Sequence, residues 1–161
     1  ATRSNEAVRA RWGEIDLDAK VWTIPKERMK ANREHRVPLA KQAVKLLKSL
    51  PRLNDWVFPS QNEKPLTIAA TLKMVKGINP SITTHGFRST FRDWAAEHTA
   101  YAREVAEAAL AHVLKDKTEA AYFPSDLFEK RALLMTDWAT YCHTEQGKAS
   151  NVTPINAKRM K

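Results

Sequence analysis

Cysteine is almost absent from this sequence, with Cys142 as its single representative. One cysteine excludes an intrachain disulfide and argues against a cysteine-based zinc cluster, which fits a reducing compartment such as the cytoplasm. Glycine is also scarce, with four residues in 161, which argues against a loop-rich or low-complexity chain. Long apolar runs are missing too, so neither a membrane span nor a cleaved signal segment is expected. The length favours a single folded domain with a sizeable core.

Basic residues are in excess, and the excess is unevenly distributed. The formal net charge is +9, of which residues 1–50 contribute +6 and residues 148–161 contribute +4, whereas residues 51–147 contribute −1. Clustered bases attract polyanions, and nucleic acid is the commonest such partner, although a merely solvated basic face is the alternative. The local peak of positive charge comprises Lys26, Arg28, Lys30, Arg33 and Arg36.

The pattern of apolar residues predicts a mainly α fold with a small antiparallel β-sheet, that is, an α+β class. Alternating and β-branched segments predict strands at 14–18, 21–25 and 36–39, with a basic hairpin over 26–35. Helical periodicity predicts helices at 4–12, 41–50, 66–76, from Thr83 or Thr84 to 98, 101–111, 116–122 and 126–145. Residues 1–145 are therefore expected to form the domain, as a piece of a longer protein. Residues 146–161 are expected to be a flexible basic tail.

Apolar residues at helical spacing predict which faces of these helices are buried. On residues 41–50, Leu46 and Leu47 are expected to share the inner face. On the helix after Thr84, Phe87 is expected to join Phe91 and Trp94 in the core. On the last helix, the predicted inner residues are Leu127, Leu134, Trp138 and Tyr141.

The sequence His85-Gly86-Phe87-Arg88 opens a predicted helix and carries two groups that bind phosphate. His85 and Arg88 are three residues apart and are expected to share a face, with Arg92 a turn further on. Unpaired N–H groups and partial positive charge at a helix N-terminus add to an imidazole and a guanidinium to favour an anion. A capped surface helix with an exposed arginine is the alternative interpretation of this motif taken alone.

A set of residues in a particular order sharpens this interpretation. Arg3 precedes a helix with Glu6 three residues on, Lys30 lies in the basic hairpin, His112 follows Leu110-Ala111, and Tyr122 comes ten residues later. The order Arg, Lys, His-x-x-Arg, His, Tyr resembles the tyrosine recombinase (phage integrase) family. The sequence around these residues is most similar to that of prophage and genomic-island integrases. The resemblance spans about residues 3–140 and includes the segments 11–18 (RWGEIDLD), 22–25 (WTIP), 36–39 (RVPL), 57–60 (VFPS) and 84–88 (THGFR).

This resemblance implies the catalytic-domain fold of that family and a role for each residue. Arg3 and Arg88 would clamp the nonbridging oxygens of a scissile phosphate, with His112 as a further hydrogen-bond donor. His85 would assist as proton acceptor or phosphate donor, and Lys30 would protonate the departing 5′ oxygen. Tyr122 would be the nucleophile that forms a 3′-phosphotyrosine. The supporting residue is Glu6, and the residues expected to bind DNA are Lys26, Arg28, Arg33, Arg36 and Arg92.

Several assignments have competitors within the sequence. Tyr101 and Tyr141 are the other tyrosines, but Tyr101 precedes His112, against the family order, and Tyr141 has core spacing on the last helix. Lys26 and Arg33 lie close to Lys30. Glu6 is interpreted as orienting Arg3 or capping a helix rather than carrying a proton.

The function implied is site-specific DNA recombination for integration and excision of a mobile element, without metal, ATP or other cofactor. The alternatives are a type IB topoisomerase-like strand transferase and a non-catalytic basic DNA-binding remnant. The implied partners are double-stranded DNA at attachment sites, an excisionase and a host DNA-bending protein. The chain is expected to be a monomer alone and a homo-tetramer on DNA, in a bacterial cytoplasm at the nucleoid.

Overall fold

The computed structural model describes residues 1–112 and 126–144 and has the predicted α+β architecture. Its strands are β1 (Ile15–Asp16), β2 (Val21–Ile24) and β3 (His35–Pro38). Its α-helices are α1 (Ser4–Val8), α2 (Lys41–Ser49), α3 (Ile68–Ile78), α4 (Gly86–His98), α5 (Arg103–Ala109) and α6 (Phe128–His143), with 3-10 turns at Trp12–Glu14 and Lys26–Arg28. The predicted helix at 116–122 and the predicted tail at 146–161 lie outside the described residues.

The three strands form one antiparallel sheet in the order β1-β2-β3, as predicted. Trp22 pairs with Ile15 on one side and with Val37 on the other. Alternation along β2 buries Trp22 and Ile24 while Val21 and Thr23 are partly exposed, because successive side chains of a strand point to opposite faces. The core on this side of the molecule contains Ala10, Trp22, Ile24, Met29, Val37, Leu47 and Val57.

A second core forms where α4, α5 and α6 pack together. It consists of Phe91, Trp94, Ala95, Val105, Ala106, Ala109, Leu110 and Leu134. Trp138 of α6 meets the ring of Phe91 edge to face at 5.4 Å and lies 5.0 Å from the ring of Trp94. Such aromatic pairs add specific geometry to the burial of apolar area, so α4 and α6 are fixed relative to each other.

Three residues predicted to lie on buried helix faces are exposed: Phe87, Leu46 and Tyr141, the last of which keeps 37% exposure although its ring stacks on Trp138. Phe87 is 54% exposed, and the first turn of α4 buries Arg88 instead. Arg88 takes the inner position because its guanidinium finds hydrogen-bond acceptors on neighbouring segments, which a periodicity of apolar residues does not register. Leu46 is likewise 58% exposed, and only its neighbour Leu47 is buried on α2.

A cluster of two arginines around Asp126 joins the sheet to α6. Arg131 is 1% exposed and donates to Asp126 Oδ2 at 2.8 Å and to the backbone carbonyl of Arg36 at 2.5 Å. Arg36 donates from Nε and Nη2 to the same carboxylate, both at 2.9 Å. Leu127, between Asp126 and α6, has a left-handed backbone with φ 54°, a strained conformation for a bulky residue. The carboxylate therefore neutralises a buried guanidinium and fixes the start of α6.

Replacement of Asp126 by alanine should destabilise the fold, because Arg131 would remain buried with only carbonyl acceptors. We expect the free energy of unfolding to fall by about 3 kcal/mol, the lower end of the range for breaking a buried ion pair, since the Asp126 side chain is 31% exposed. Denaturant unfolding followed by circular dichroism measures it. Glu129→Ala, at an exposed position of α6, is the matched control and should change little; equal effects of the two variants would contradict the role of Asp126.

Candidate active site

Arg88 is the centre of the candidate site. It is 7% exposed, and its Nη2 lies 2.9 Å from the carbonyl oxygen of Leu110 and 3.1 Å from Nε2 of His112. Its Nη1 donates to the backbone carbonyl of Ala1. Arg88 thus joins the N-terminal segment, α4 and the end of α5. Burial lowers the pKa of Arg88, and the like charge of Arg3, two residues after the Ala1 carbonyl that Arg88 contacts, lowers it further.

Arg3 is held in place by Glu6 of α1. The guanidinium donates to Glu6 Oε1 at 2.8 Å, and the backbone N–H of Arg3 donates to Oε2 at 2.7 Å. Glu6 is 4% exposed, so this carboxylate both caps the start of α1 and orients the arginine. The negative charge of Glu6 also acts on Arg88. It therefore offsets part of the repulsion between the two arginines.

His112 lies between Arg88 and Glu107. Its Nδ1 is 2.6 Å from Glu107 Oε2, and Arg92 donates from Nε to Glu107 Oε1 at 3.0 Å. Burial would raise the pKa of Glu107, but the hydrogen bonds from His112 and Arg92 and their charges outweigh it, so the net pKa is lowered. Arg92 and Glu107 thus extend the site away from Arg88.

The structure shows fewer contacts for the remaining predicted catalytic residues than for Arg3, Arg88 and His112. His85 directly precedes α4 and is exposed, whereas Arg88 is buried. The backbone N–H of Gly86 donates to the hydroxyl of Thr83 at 3.1 Å. Lys30 is exposed in the connection between β2 and β3. Within residues 1–112 and 126–144, neither His85 nor Lys30 has a side-chain hydrogen bond. Tyr122 lies outside the described residues.

The predicted DNA-binding residues divide into two groups. Lys26 and Arg33 are exposed in the basic connection. Arg28 instead forms an ion pair with Glu14 at 2.9 Å and donates to the backbone carbonyl of Arg9. Arg36 and Arg92 also form ion pairs, with Asp126 and Glu107, although their side chains keep 47% and 52% exposure.

The two other tyrosines are engaged outside this site. The hydroxyl of Tyr101 donates to Asp137 Oδ2 at 2.6 Å, and this hydrogen bond, with some burial, raises the pKa of Tyr101 to about 12. The ring of Tyr141 stacks on Trp138 at 5.6 Å and belongs to the aromatic cluster of α4 and α6. A raised pKa makes a phenol a poorer nucleophile at neutral pH.

Sequence reasoning missed Glu107, which contacts two of the predicted residues. The available signal was a carboxylate within the small and apolar run Val105-Ala106-Glu107-Ala108-Ala109-Leu110, because a buried carboxylate requires partners. No group of His, Cys, Asp and Glu suitable for a metal is found in the described part of the chain. None of the helices described there is long and apolar enough to cross a membrane.

Comparison with solved structures identifies the fold. The crystal structure of the XerA recombinase superposes with a TM-score of 0.59 over 89% of this chain and 53% of that chain, at 18% sequence identity. At that identity the match shows the fold, and it confirms the predicted recombinase architecture.

Sequence comparison identifies the family. The profile of the Phage integrase family matches residues 1–127. Prophage integrase IntA of Escherichia coli K12 is 40% identical over 146 residues, covering 86% of this chain and 35% of that protein. The integrase of Enterobacteria phage P4 is 30% identical over 168 residues, covering 91% of this chain and 38% of that protein. The chain belongs to the phage integrase family, and it spans a little over a third of the length of these relatives.

The lowered pKa of Glu107 predicts a pH-dependent contribution to stability. A carboxylate whose folded pKa is depressed stabilises the fold above its unfolded pKa, about 4.5, and this contribution is lost as the pH falls through the folded pKa. Glu107→Gln should therefore lower the free energy of unfolding at pH 7 by about 1–3 kcal/mol. The difference from the unsubstituted protein should shrink below about pH 4. Denaturant unfolding at pH 7 and pH 3.5 measures it, and a difference of constant size would contradict this assignment.

Proposed function

We propose that this chain is the catalytic domain of a site-specific DNA recombinase that integrates and excises a prophage or genomic island. The observation that carries the proposal is the position of Arg88, which contacts the carbonyl of Ala1, two residues before Arg3, and the ring of His112, from a separate part of the chain. Two guanidiniums held near each other despite their repulsion form a site for an anion with several oxygens, such as a phosphodiester. Family membership specifies that the phosphodiester belongs to DNA.

The proposed reaction follows from the charges that a phosphodiester gathers during attack. The phenolic oxygen of Tyr122 attacks phosphorus, and the bond from phosphorus to the 5′ oxygen breaks. Arg3 and Arg88 stabilise the added charge on the nonbridging oxygens, and His112 donates a further hydrogen bond.

Two proton transfers accompany the reaction, and we assign them to His85 and Lys30. His85 accepts the phenolic proton, and Lys30 donates a proton to the departing 5′ oxygen. Attack by the 5′-hydroxyl of a second strand on the 3′-phosphotyrosine reverses these steps. The energy of the broken bond is stored in the covalent link.

The assignment of Tyr122 is supported by the positions of its competitors and neighbours. Tyr101 and Tyr141 are occupied by Asp137 and by the aromatic cluster. Tyr122 lies four residues before Asp126 in the sequence, and Asp126 is held by Arg36 and Arg131.

The partners of the recombinase extend this proposal. Double-stranded attachment-site DNA is the substrate, and the active assembly is a homo-tetramer in which residues 146–161 pass to a neighbour. An excisionase and a host DNA-bending protein assist it at the nucleoid in a bacterial cytoplasm. The isolated chain should be a monomer in sedimentation without DNA. Hydrogen exchange showing a strongly protected tail in that monomer would contradict the exchange of tails.

A covalent adduct with DNA tests the nucleophile. The probe is a labelled pool of duplexes of random sequence, nicked on one strand so that the short 5′-hydroxyl fragment released by cleavage diffuses away. We expect an adduct that resists denaturing electrophoresis, and mass spectrometry should locate it on Tyr122. Tyr122→Phe should abolish it, whereas Tyr101→Phe and Tyr141→Phe should retain it. An adduct that persists in Tyr122→Phe would exclude this nucleophile, and no adduct with the unsubstituted chain would favour a non-catalytic DNA-binding module.

The dependence of DNA affinity on salt tests the basic connection. Each lysine or arginine that neutralises a phosphate contributes about 1 to the slope of log affinity against log salt. Replacing both Lys26 and Arg33 with alanine should reduce that slope by about 2 and weaken binding of all duplexes alike. Lys130→Ala, at an exposed position of α6, should leave the slope unchanged. An unchanged slope in the double variant would place the DNA elsewhere.

A further inference from the structure

Glu107 lies behind His112, on the side away from Arg88. Each of its two carboxylate oxygens has one partner: Oε1 lies 3.0 Å from Arg92 Nε, and Oε2 lies 2.6 Å from His112 Nδ1. The side chain is 11% exposed. The backbone N–H of His112 also donates to the backbone carbonyl of Glu107 at 3.0 Å. His112 is therefore held by Glu107 through both its ring and its main chain.

The surroundings make an unpaired carboxylate at this position unfavourable. Val105, Ala106 and Ala109 of the same helix are buried in the core shared by α4, α5 and α6. A carboxylate next to such a core requires hydrogen-bond donors, and Arg92 supplies one with a charge. Since Arg92 occupies one oxygen, the other is directed to the imidazole.

The hydrogen bonds around His112 define which ring nitrogen carries a proton. Glu107 accepts at Nδ1, so that nitrogen carries hydrogen. A guanidinium donates only, so Nε2, 3.1 Å from Arg88 Nη2, accepts in this structure. A neutral ring in this tautomer has no hydrogen at Nε2 to offer to a phosphate.

Donation to a phosphate thus requires the doubly protonated ring. In the described part of the chain, the charged groups facing His112 are Glu107 of α5 and Arg88 of α4, with Arg92 behind Glu107. Arg88 disfavours a positive ring, whereas the carboxylate of Glu107 favours it. A bound phosphate would draw the guanidinium of Arg88 to itself. The negative charge of the phosphate would then favour the doubly protonated ring of His112, as the charge of Glu107 does.

We propose that Glu107, itself fixed by Arg92, is a positioning residue that orients His112 and stabilises its doubly protonated ring when a phosphate is bound. The inference rests on the function proposed above and adds to it a residue that does not touch the phosphate. Arg92 then serves the site through its Nε, while its exposed end remains available to DNA.

The pH dependence of adduct formation separates this role from a merely structural one. Glu107→Gln keeps the shape of the side chain but removes the negative charge, and its single acceptor oxygen serves either Arg92 Nε–H or His112 Nδ1–H. Glu97→Gln, at an exposed position of α4, makes the same chemical change outside the site. Both variants and the unsubstituted chain are compared with the nicked duplex pool in single-turnover reactions from pH 6 to pH 9, with folding checked by circular dichroism.

We expect Glu107→Gln to form the Tyr122 adduct about 10–100-fold more slowly at pH 8, the range typical of residues that orient a ligating histidine. Its deficit should shrink as the pH falls, because protons in solution then restore the second proton that the carboxylate otherwise helps to retain. Glu97→Gln should follow the unsubstituted chain. A deficit of the same size at every pH, or no deficit, would overturn the inference while leaving the Tyr122 adduct, and so the proposed function, intact.

A measurement without DNA cleavage provides an independent test. Nitrogen chemical shifts of the His112 ring, in protein labelled with 15N-histidine, distinguish the two tautomers and the doubly protonated ring. With the chain alone at neutral pH, we expect the tautomer with hydrogen at Nδ1. In Glu107→Gln, we expect part of the population to carry hydrogen at Nε2 instead, because the amide nitrogen can donate to Nδ1. Hydrogen at Nε2 in the unsubstituted chain, or the same tautomer in both proteins, would overturn the inference even if no adduct forms.

Discussion

Burial of the Arg88 guanidinium is the constraint on which the rest of this site depends. A buried charge is tolerated only where its donors are satisfied, and Arg88 meets that requirement with the carbonyls of Ala1 and Leu110 and with the ring of His112. These acceptors belong to segments far apart in sequence. Satisfying one side chain therefore brings the N-terminal segment, with Arg3, against the first turn of α4 and the end of α5. The proposed phosphate site and the packing of the helices depend on the same hydrogen bonds.

Two carboxylates hold the chain on either side of residues 113–125, which contain Tyr122. Glu107, with Arg92, fixes His112 immediately before this segment. Asp126, the residue immediately after this segment, is held by Arg36 and Arg131. Each carboxylate pairs with an arginine, Arg92 or Arg36, that the sequence analysis expected to bind DNA. Part of the basic excess thus serves the internal architecture, and the exposed Lys26 and Arg33 remain to meet a polyanion.

Much of the fold could be predicted from the sequence because its signals are local. The β-branched and aromatic segment 21–25 predicted strand β2, and helical spacing predicted that Phe91, Trp94 and Leu134 are buried. Errors arose where an apolar residue competed with a polar one for burial. Phe87 is exposed and Arg88 is buried, because hydrogen bonds to distant carbonyls are not visible in a periodicity. Glu107 was missed for the same reason, since both its partners lie on segments that only folding brings near.

The sequence by itself determined the residue types of the site, their order and the elements that carry them. Those properties depend on neighbours within a few positions along the chain, and on an order that resembles one family. Only the tertiary structure decided which charges face each other: Arg3 near Arg88, His112 between Arg88 and Glu107, and Arg36 and Arg131 around Asp126. The physical reason is that a buried charge selects its partners by distance and geometry in three dimensions, and separation along the chain carries almost no information about either.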